Sequence, residues 1–202
     1  MPDKIVVHPG NAEPKAFTQA QLDWLPWLEP PTEESLSADQ HEALIDAARA
    51  KSAYFRLLAS DPAILKARTL TDKDIFYNPD SGLPRAEREL AATAVSRING
   101  CIYCASVHAR FSTTYSRRGE DVDRLLADGV ETDLDARWNA IVAASVALTT
   151  TPVAFGRQEV EALRAAGLDD LAISDAIHAA AFFNWANRLM LTLGEPAPSP
   201  VA

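Results

Sequence analysis

Both cysteines of this 202-residue chain fall in one short stretch, NGCIYCASVHAR, from Asn99 to Arg110. Cys101 and Cys104 are three apart, and His108 follows four residues later. The thiolate is the reactive form of cysteine, and an imidazole that titrates near neutral pH is suited to take its proton. On a helix each residue turns about 100°, so Cys104 lies about 60° from Cys101 and His108 about 20°, all on one stripe. Positions three apart on a helix also fall within the roughly 4.4–6.8 Å between Cα atoms that a disulfide tolerates. Asn99-Gly100 ends the preceding helix, which puts Cys101 in the first turn of the next, where free N–H groups and the helix dipole favour an anion. The layout describes a thiol that ionises and a second thiol placed to capture its oxidised form.

Three uses fit this spacing. The pair can cycle between dithiol and disulfide. Cys101, Cys104 and His108 can bind zinc with a fourth ligand, although the sequence holds no second ligand cluster to supply one. The thiols can also be inert core fillers beside a buried histidine, because a CxxC spacing alone does not decide. Elsewhere, Glu89 sits on a face of small residues, Ala86, Ala92, Thr93 and Ser96, with Glu87 as its rival on composition. His178, between Ile177 and Ala179, reads as a packed core histidine, and His8 and His41 as surface residues. Trp138, Trp185, Phe182 and Phe183 read as core or subunit interface.

The elements that must hold these groups are helical. Ser37 is a candidate cap for a helix from Ala38 to about Ala59, and Asp61-Pro62 opens another that fades before Asn78. Further helices are expected in RAERELAATAVSRI, from near Cys101 through Tyr115, and in GEDVDRLLADG. Others follow in LDARWNAIVAASVALT, capped by Asp133, in GRQEVEALRAAG, and in the long segment from Asp169 that Gly194 closes. No stretch alternates as a strand would, so the fold class expected is all-α. The domain division is an N-terminal arm, 1–36, with at most one short helix around Thr18 to Leu25; a helical domain, 37–195; and a mobile tail, 196–202. Trp24, Trp27 and Leu28 require the arm to dock on its own domain or on a neighbour.

Apolar residues make up 48% of the chain and charged residues 23%, enough for a sizeable core. The net charge of −9 opposes nucleic-acid binding, and the cationic pairs Arg117-Arg118 and Lys66-Arg68 are too small to reverse it. No apolar run reaches the ~18 residues of a membrane span, and the N-terminus lacks a secretory segment. The expected setting is therefore the cytoplasm, where a cysteine pair is more often catalytic or metal-binding than a structural staple.

The pattern of Glu89, eleven intervening residues, then CIYC and His108 resembles the core motif of the alkylhydroperoxidase D-like family within the carboxymuconolactone decarboxylase superfamily. The likeness is sharpest over 84–117. It extends loosely over about 50–195, where FFNWANRLMLTLG resembles the peroxidase-related branch, while 1–36 has no counterpart. The resemblance implies an all-helical, homo-oligomeric bundle and a thiol peroxidase that needs no metal, haem or other cofactor. It assigns Cys104 as the peroxidatic cysteine, Cys101 as the more exposed resolving one, and Glu89 with His108 as the proton relay. A hydroperoxide would be the substrate and a lipoyl-type or thioredoxin-like dithiol the reductant. Tyr103 stands where some members carry a histidine, and a phenol with pKa about 10 relays protons poorly near neutrality. The superfamily's decarboxylases lack the cysteine pair. A non-enzymatic, redox-sensing oligomer of the same fold remains the alternative to an enzyme.

Overall fold

In the computed structural model, which describes residues 5–199, a helical bundle is closed by a two-stranded ribbon joining its ends. The elements run β1 (Leu22–Pro26), α1 (Ala38–Leu44), α2 (Ala53–Leu58), α3 (Pro62–Tyr77), α4 (Arg85–Ile98) and α5 (Ile102–Ser116). They continue with α6 (Gly119–Asp128), α7 (Ala136–Thr149), α8 (Arg157–Ala165), α9 (Asp170–Leu193) and β2 (Gly194–Pro198). The all-α expectation holds for the bundle.

Helix α4 is its axis. Every residue from Ala86 to Ser96 is buried, and Ala91, Ala92, Ala94 and Ser96 are small enough to let α5, α7 and α9 pack closely around it. The turn from α4 to α5 is a Schellman motif. Gly100 takes φ +79°, a left-handed conformation that suits glycine, and the Cys101 amide donates to the Ser96 carbonyl at 2.9 Å. The orphan carbonyl of Ser96 is thereby satisfied, and Cys101 becomes the N-cap residue of α5.

The run expected from Ala38 to Ala59 is broken. The capping box at Ser37 and Gln40 forms, but Ile45 has φ +63° and the Asp46 carboxylate caps a new 3₁₀ turn, Ala47–Lys51, by accepting from the Ala48 amide. A side chain that bonds its own backbone competes with helix continuation. Asp135, not Asp133, caps α7, while Asp133 accepts from the Asn139 side chain.

The ribbon corrects the helix expected around Thr18 to Leu25, the absence of strands, and the mobile tail from residue 196. Leu22 to Pro26 pairs antiparallel with Gly194 to Pro198. Prolines are tolerated because in two strands every position is an edge. Trp24 is buried against Tyr54, ring centroids 5.5 Å apart, and its indole N–H donates to the Met190 carbonyl. Residues 200–202 of the expected tail lie outside the described residues. The arm docks on its own domain, with Arg110 donating to the Ala20 carbonyl at 2.8 Å.

Gly194 is where the ribbon meets the bundle, and a Cβ there would collide with the Leu25 carbonyl oxygen and the Trp24 indole. Gly194→Ala is expected to destabilise by about 1–3 kcal/mol, as overpacking does. Gly10→Ala, where a Cβ meets nothing within 4 Å, should stay within about 0.5 kcal/mol. Urea denaturation of the two variants checks this, and equal midpoints would refute the packing account.

Candidate active site

Four predicted site residues converge between α4 and α5. The Sγ atoms of Cys101 and Cys104 lie 2.7 Å apart as free thiols, beyond the ~2.05 Å of a disulfide yet needing only a small approach to make one. The Schellman turn accounts for this closeness, because it places Cys101 at the N-cap and Cys104 at the third position of the same first turn.

On α4, Glu89 reaches across to α5. Its Oε2 lies 2.5 Å from Nδ1 of His108, and its Oε1 accepts from Nε of Arg85 at 3.1 Å. With Glu89 as the acceptor, Nδ1 carries the proton and Nε2 is left as the basic nitrogen. The imidazole is clamped edge-on by Phe183, ring centroids 4.0 Å apart, with Phe76 at 5.4 Å. Arg85 in turn lies over the rings of Tyr77, Phe111 and Tyr115 at 4.0–5.1 Å. The rival carboxylate, Glu87, is engaged elsewhere: Arg137 holds it through two bonds, at 2.7 and 2.8 Å.

A cavity of about 250 Å³ opens beside the pair. Cys104, His108, Glu89 and Tyr103 line it, with Phe76 and Phe183 among its apolar walls. Cys101 is not among its lining residues and is 2% exposed against 5% for Cys104. The expectation that Cys101 is the more exposed thiol is therefore corrected: its amide is tied to Ser96 and its side chain sits within the core beneath the turn. Cys104 faces the cavity.

Behind the thiols lies a buried amide network that the sequence reading did not single out. Asn187 of α9 donates to Ser96 Oγ at 3.0 Å and accepts from Asn99 at 3.2 Å, and Asn99 also donates to Asn184 at 3.1 Å. Asn187 is four residues beyond Phe183 on the buried face of an apolar helix, and a lone amide there is the signal that could have found it. Arg68 and Tyr54 were missed as well. Both are buried and line the cavity, so Arg68 forms no surface patch with Lys66, which pairs with Glu42. Its position three residues after Leu65 and eight before Phe76, on one buried face of α3, is the sign that marks it as inward-facing.

Other expectations are corrected. His178 is exposed, not packed in the core, and His8 is half-buried with Nε2 donating to the Pro26 carbonyl. Of the aromatics read as core or subunit interface, Trp138, Phe182 and Phe183 are core, and Trp185 is exposed on the single chain. Among the described residues no group of three or more histidine, cysteine or acidic side chains is arranged to hold a metal ion, and no helix is long and apolar enough to cross a membrane.

The electrostatics of the pair are set by burial. Loss of hydration pushes the Cys104 thiol well above the usual thiol range, and the neighbouring Cys101 adds to the rise, while a hydrogen bond from Asn187 and the charge of Arg68 oppose it. Burial likewise raises the Tyr103 phenol, so this ring enters the site as a neutral donor.

An unfolded chain ionises its thiols near ~8.5, where folded Cys104 keeps its proton, so above that pH the unfolded state binds fewer protons and stability falls as pH rises. The urea midpoint of the reduced protein should therefore drop between about pH 7.5 and about pH 9.5, and drop less in Cys104→Ser. The same decrease in both proteins would contradict the assignment of burial to this thiol.

Residues 62–147 match the model of the carboxymuconolactone decarboxylase family. No curated protein matches the chain significantly in sequence. Among solved structures, a peroxidase-related protein with an alkylhydroperoxidase AhpD core from Ralstonia eutropha JMP134 is similar at TM-score 0.71 and 23% identity, covering 89% of this chain and 93% of that one. A peroxidase-related protein from Silicibacter sp. TM1040 gives 0.69 and 24%, over 91% and 94%. The debrominase Bmp8 gives 0.60 and 17%, over 80% and 83%. One fold thus serves differently named proteins, and function must be read from the site. Over residues 62–147 the chain is thus similar to the carboxymuconolactone decarboxylase family, and its fold is the one that the AhpD-like, peroxidase-related structures share.

Proposed function

We propose that the protein is a thiol peroxidase that reduces hydroperoxides through Cys104 and Cys101. The observation that carries this reading is a pair of free thiols 2.7 Å apart, one of them facing a cavity that also holds a Glu89–His108 pair at 2.5 Å. Because burial holds Cys104 protonated at rest, the thiolate is generated at the moment of attack. His108 lies one turn along α5 from Cys104 and accepts the proton at Nε2, while Glu89 holds the ring and balances the imidazolium. The sulfur attacks the terminal peroxide oxygen, the O–O bond breaks, and the alkoxide takes the proton from His108 and leaves as an alcohol. Cys104 is then a sulfenic acid. The Cys101 sulfur displaces its hydroxyl, giving the disulfide and water.

A dithiol restores the pair by two exchange steps and leaves as its own disulfide. The sum is ROOH plus dithiol giving ROH, water and disulfide. With Cys101 enclosed, the reductant meets the disulfide through the cavity at Cys104; a lipoyl-type or thioredoxin-like dithiol is the partner proposed. The enzyme works in the cytoplasm as a homo-oligomer that covers exposed apolar groups such as Trp185 and Leu191. A non-catalytic redox sensor would use the same pair but would not turn over.

Steady-state hydroperoxide consumption with dithiothreitol separates the two. Turnover is expected in the wild type, none above background in Cys104→Ser, and about 10²–10⁴-fold less in Glu89→Gln, the usual range for losing positioned acid–base chemistry. Unchanged turnover in Cys104→Ser would end the peroxidase assignment.

A further inference from the structure

The cavity wall also holds a second polar pair that the thiol chemistry does not use. Arg68 is 7% exposed and Tyr54 6%, and both line the same cavity as Cys104. Among the described residues, no group meets Nε or Nη1 of Arg68 in hydrogen-bond geometry, and the Tyr54 hydroxyl has only the neighbouring Arg68 to interact with. Buried polar groups are nearly always partnered, so a pair left with nothing beyond each other calls for an explanation.

The surroundings of Arg68 hold its guanidinium without using its N–H groups. The rings of Phe182, Phe55 and Tyr54 lie 5.2, 5.4 and 5.8 Å from its central carbon. Asp72 is 3.9 Å from Nη1, beyond hydrogen-bond length, and that carboxylate is already bonded by Arg49 at 3.3 Å. Glu89, the other acid in the wall, is taken by Arg85 and His108. Two guanidiniums therefore share the one carboxylate of Asp72, and a single positive charge is left over inside a protein whose net charge is −9. Tyr54 stays a neutral donor, its phenol pushed up to about 12 by burial.

One surplus positive charge, a forked donor and a phenolic hydroxyl match a planar monoanion. The rest of the wall includes Phe76, Val107, Phe183 and Met190, which suit an alkyl chain. Size points the same way: about 250 Å³ is several times the ~30 Å³ that a water molecule occupies in the liquid, so hydrogen peroxide would leave most of the space unfilled.

We propose that Arg68 and Tyr54 form a carboxylate-binding subsite, and that the substrate is an organic hydroperoxide carrying a carboxylate, its peroxide end at Cys104. The subsite stands on its own geometry; the hydroperoxide part rests on the peroxidase reading above. Arg68 also acts on the Cys104 thiol, so a bound carboxylate neutralises that charge while it anchors the substrate.

Calorimetric binding to the reduced full-length protein tests the subsite without any redox step. Octanoate is expected to bind at least about tenfold tighter than octanamide, the value of one charge-assisted bond. Arg68→Met should abolish the difference, and Tyr54→Phe, which keeps the ring stack, should reduce it. The wild-type comparison decides even where a variant fails to fold. Octanoate binding no tighter than octanamide overturns the subsite, and octyl phosphate binding tighter than octanoate overturns its assignment to a monoanion.

Turnover, with dithiothreitol as the common reductant, then compares 8-hydroperoxyoctanoate with its methyl ester. A kcat/KM ratio of about tenfold or more in favour of the acid, falling toward one in Arg68→Met, supports the proposal. A ratio of one in the wild type, with dihydrolipoate outpacing dihydrolipoamide tenfold, would place the carboxylate on the reductant and overturn the hydroperoxide assignment. Selective octanoate binding with no turnover of either hydroperoxide would sustain the subsite and overturn the peroxidase reading alone.

Discussion

Three consecutive charges, Glu87, Arg88 and Glu89, are buried on the central helix α4. A buried charge without a partner costs several kcal/mol or more, so each must be met from a different direction. Arg137 of α7 meets Glu87. Arg88 donates to the Ile75 carbonyl of α3 at 2.6 Å and to Ser81 Oγ at 2.8 Å, which fixes the loop into α4. Glu89 draws in His108 of α5. The same pairings that lock four neighbouring segments in place also orient the imidazole, so the reactive geometry and the packing of the bundle have one cause.

The second constraint is the conflict between burial and reactivity at the thiols. Exposure would favour a standing thiolate but would let water and wide-ranging oxidants reach it. The structure encloses the pair, and burial holds the Cys104 thiol protonated at rest. Ionisation then depends on groups arranged around the sulfur: the N-terminal turn of α5, the Asn187 amide and the Arg68 charge. Under the mechanism proposed above His108 takes the proton, so a Tyr103 phenol kept neutral by burial does not interrupt the relay.

How much of this was legible in the sequence follows from how local each signal is. The Asn99-Gly100 break, the helical stripe of Cys101, Cys104 and His108, and most helices from residue 62 onward are written in short-range periodicity and caps. The Glu89 contact was reachable only through its offset from Cys101, because composition favoured Glu87 equally. The ribbon was not legible, since Leu22 pairs with Pro198 across nearly the whole chain and neither strand alternates clearly. The break at Ile45 arises from a backbone conformation that no residue type there announces. Arg68 was read as half of a surface pair with Lys66, yet two positions along a helix turn one side chain outward and the other into the cavity.

The most direct test of the central claim is a count of free thiols in the folded, full-length protein. The account predicts two thiols per chain before oxidation, none after one equivalent of a hydroperoxide, and two again after a dithiol is added, with Cys104→Ser retaining its single thiol throughout. Two thiols surviving a full equivalent of oxidant, or a loss that the dithiol does not reverse, would contradict it.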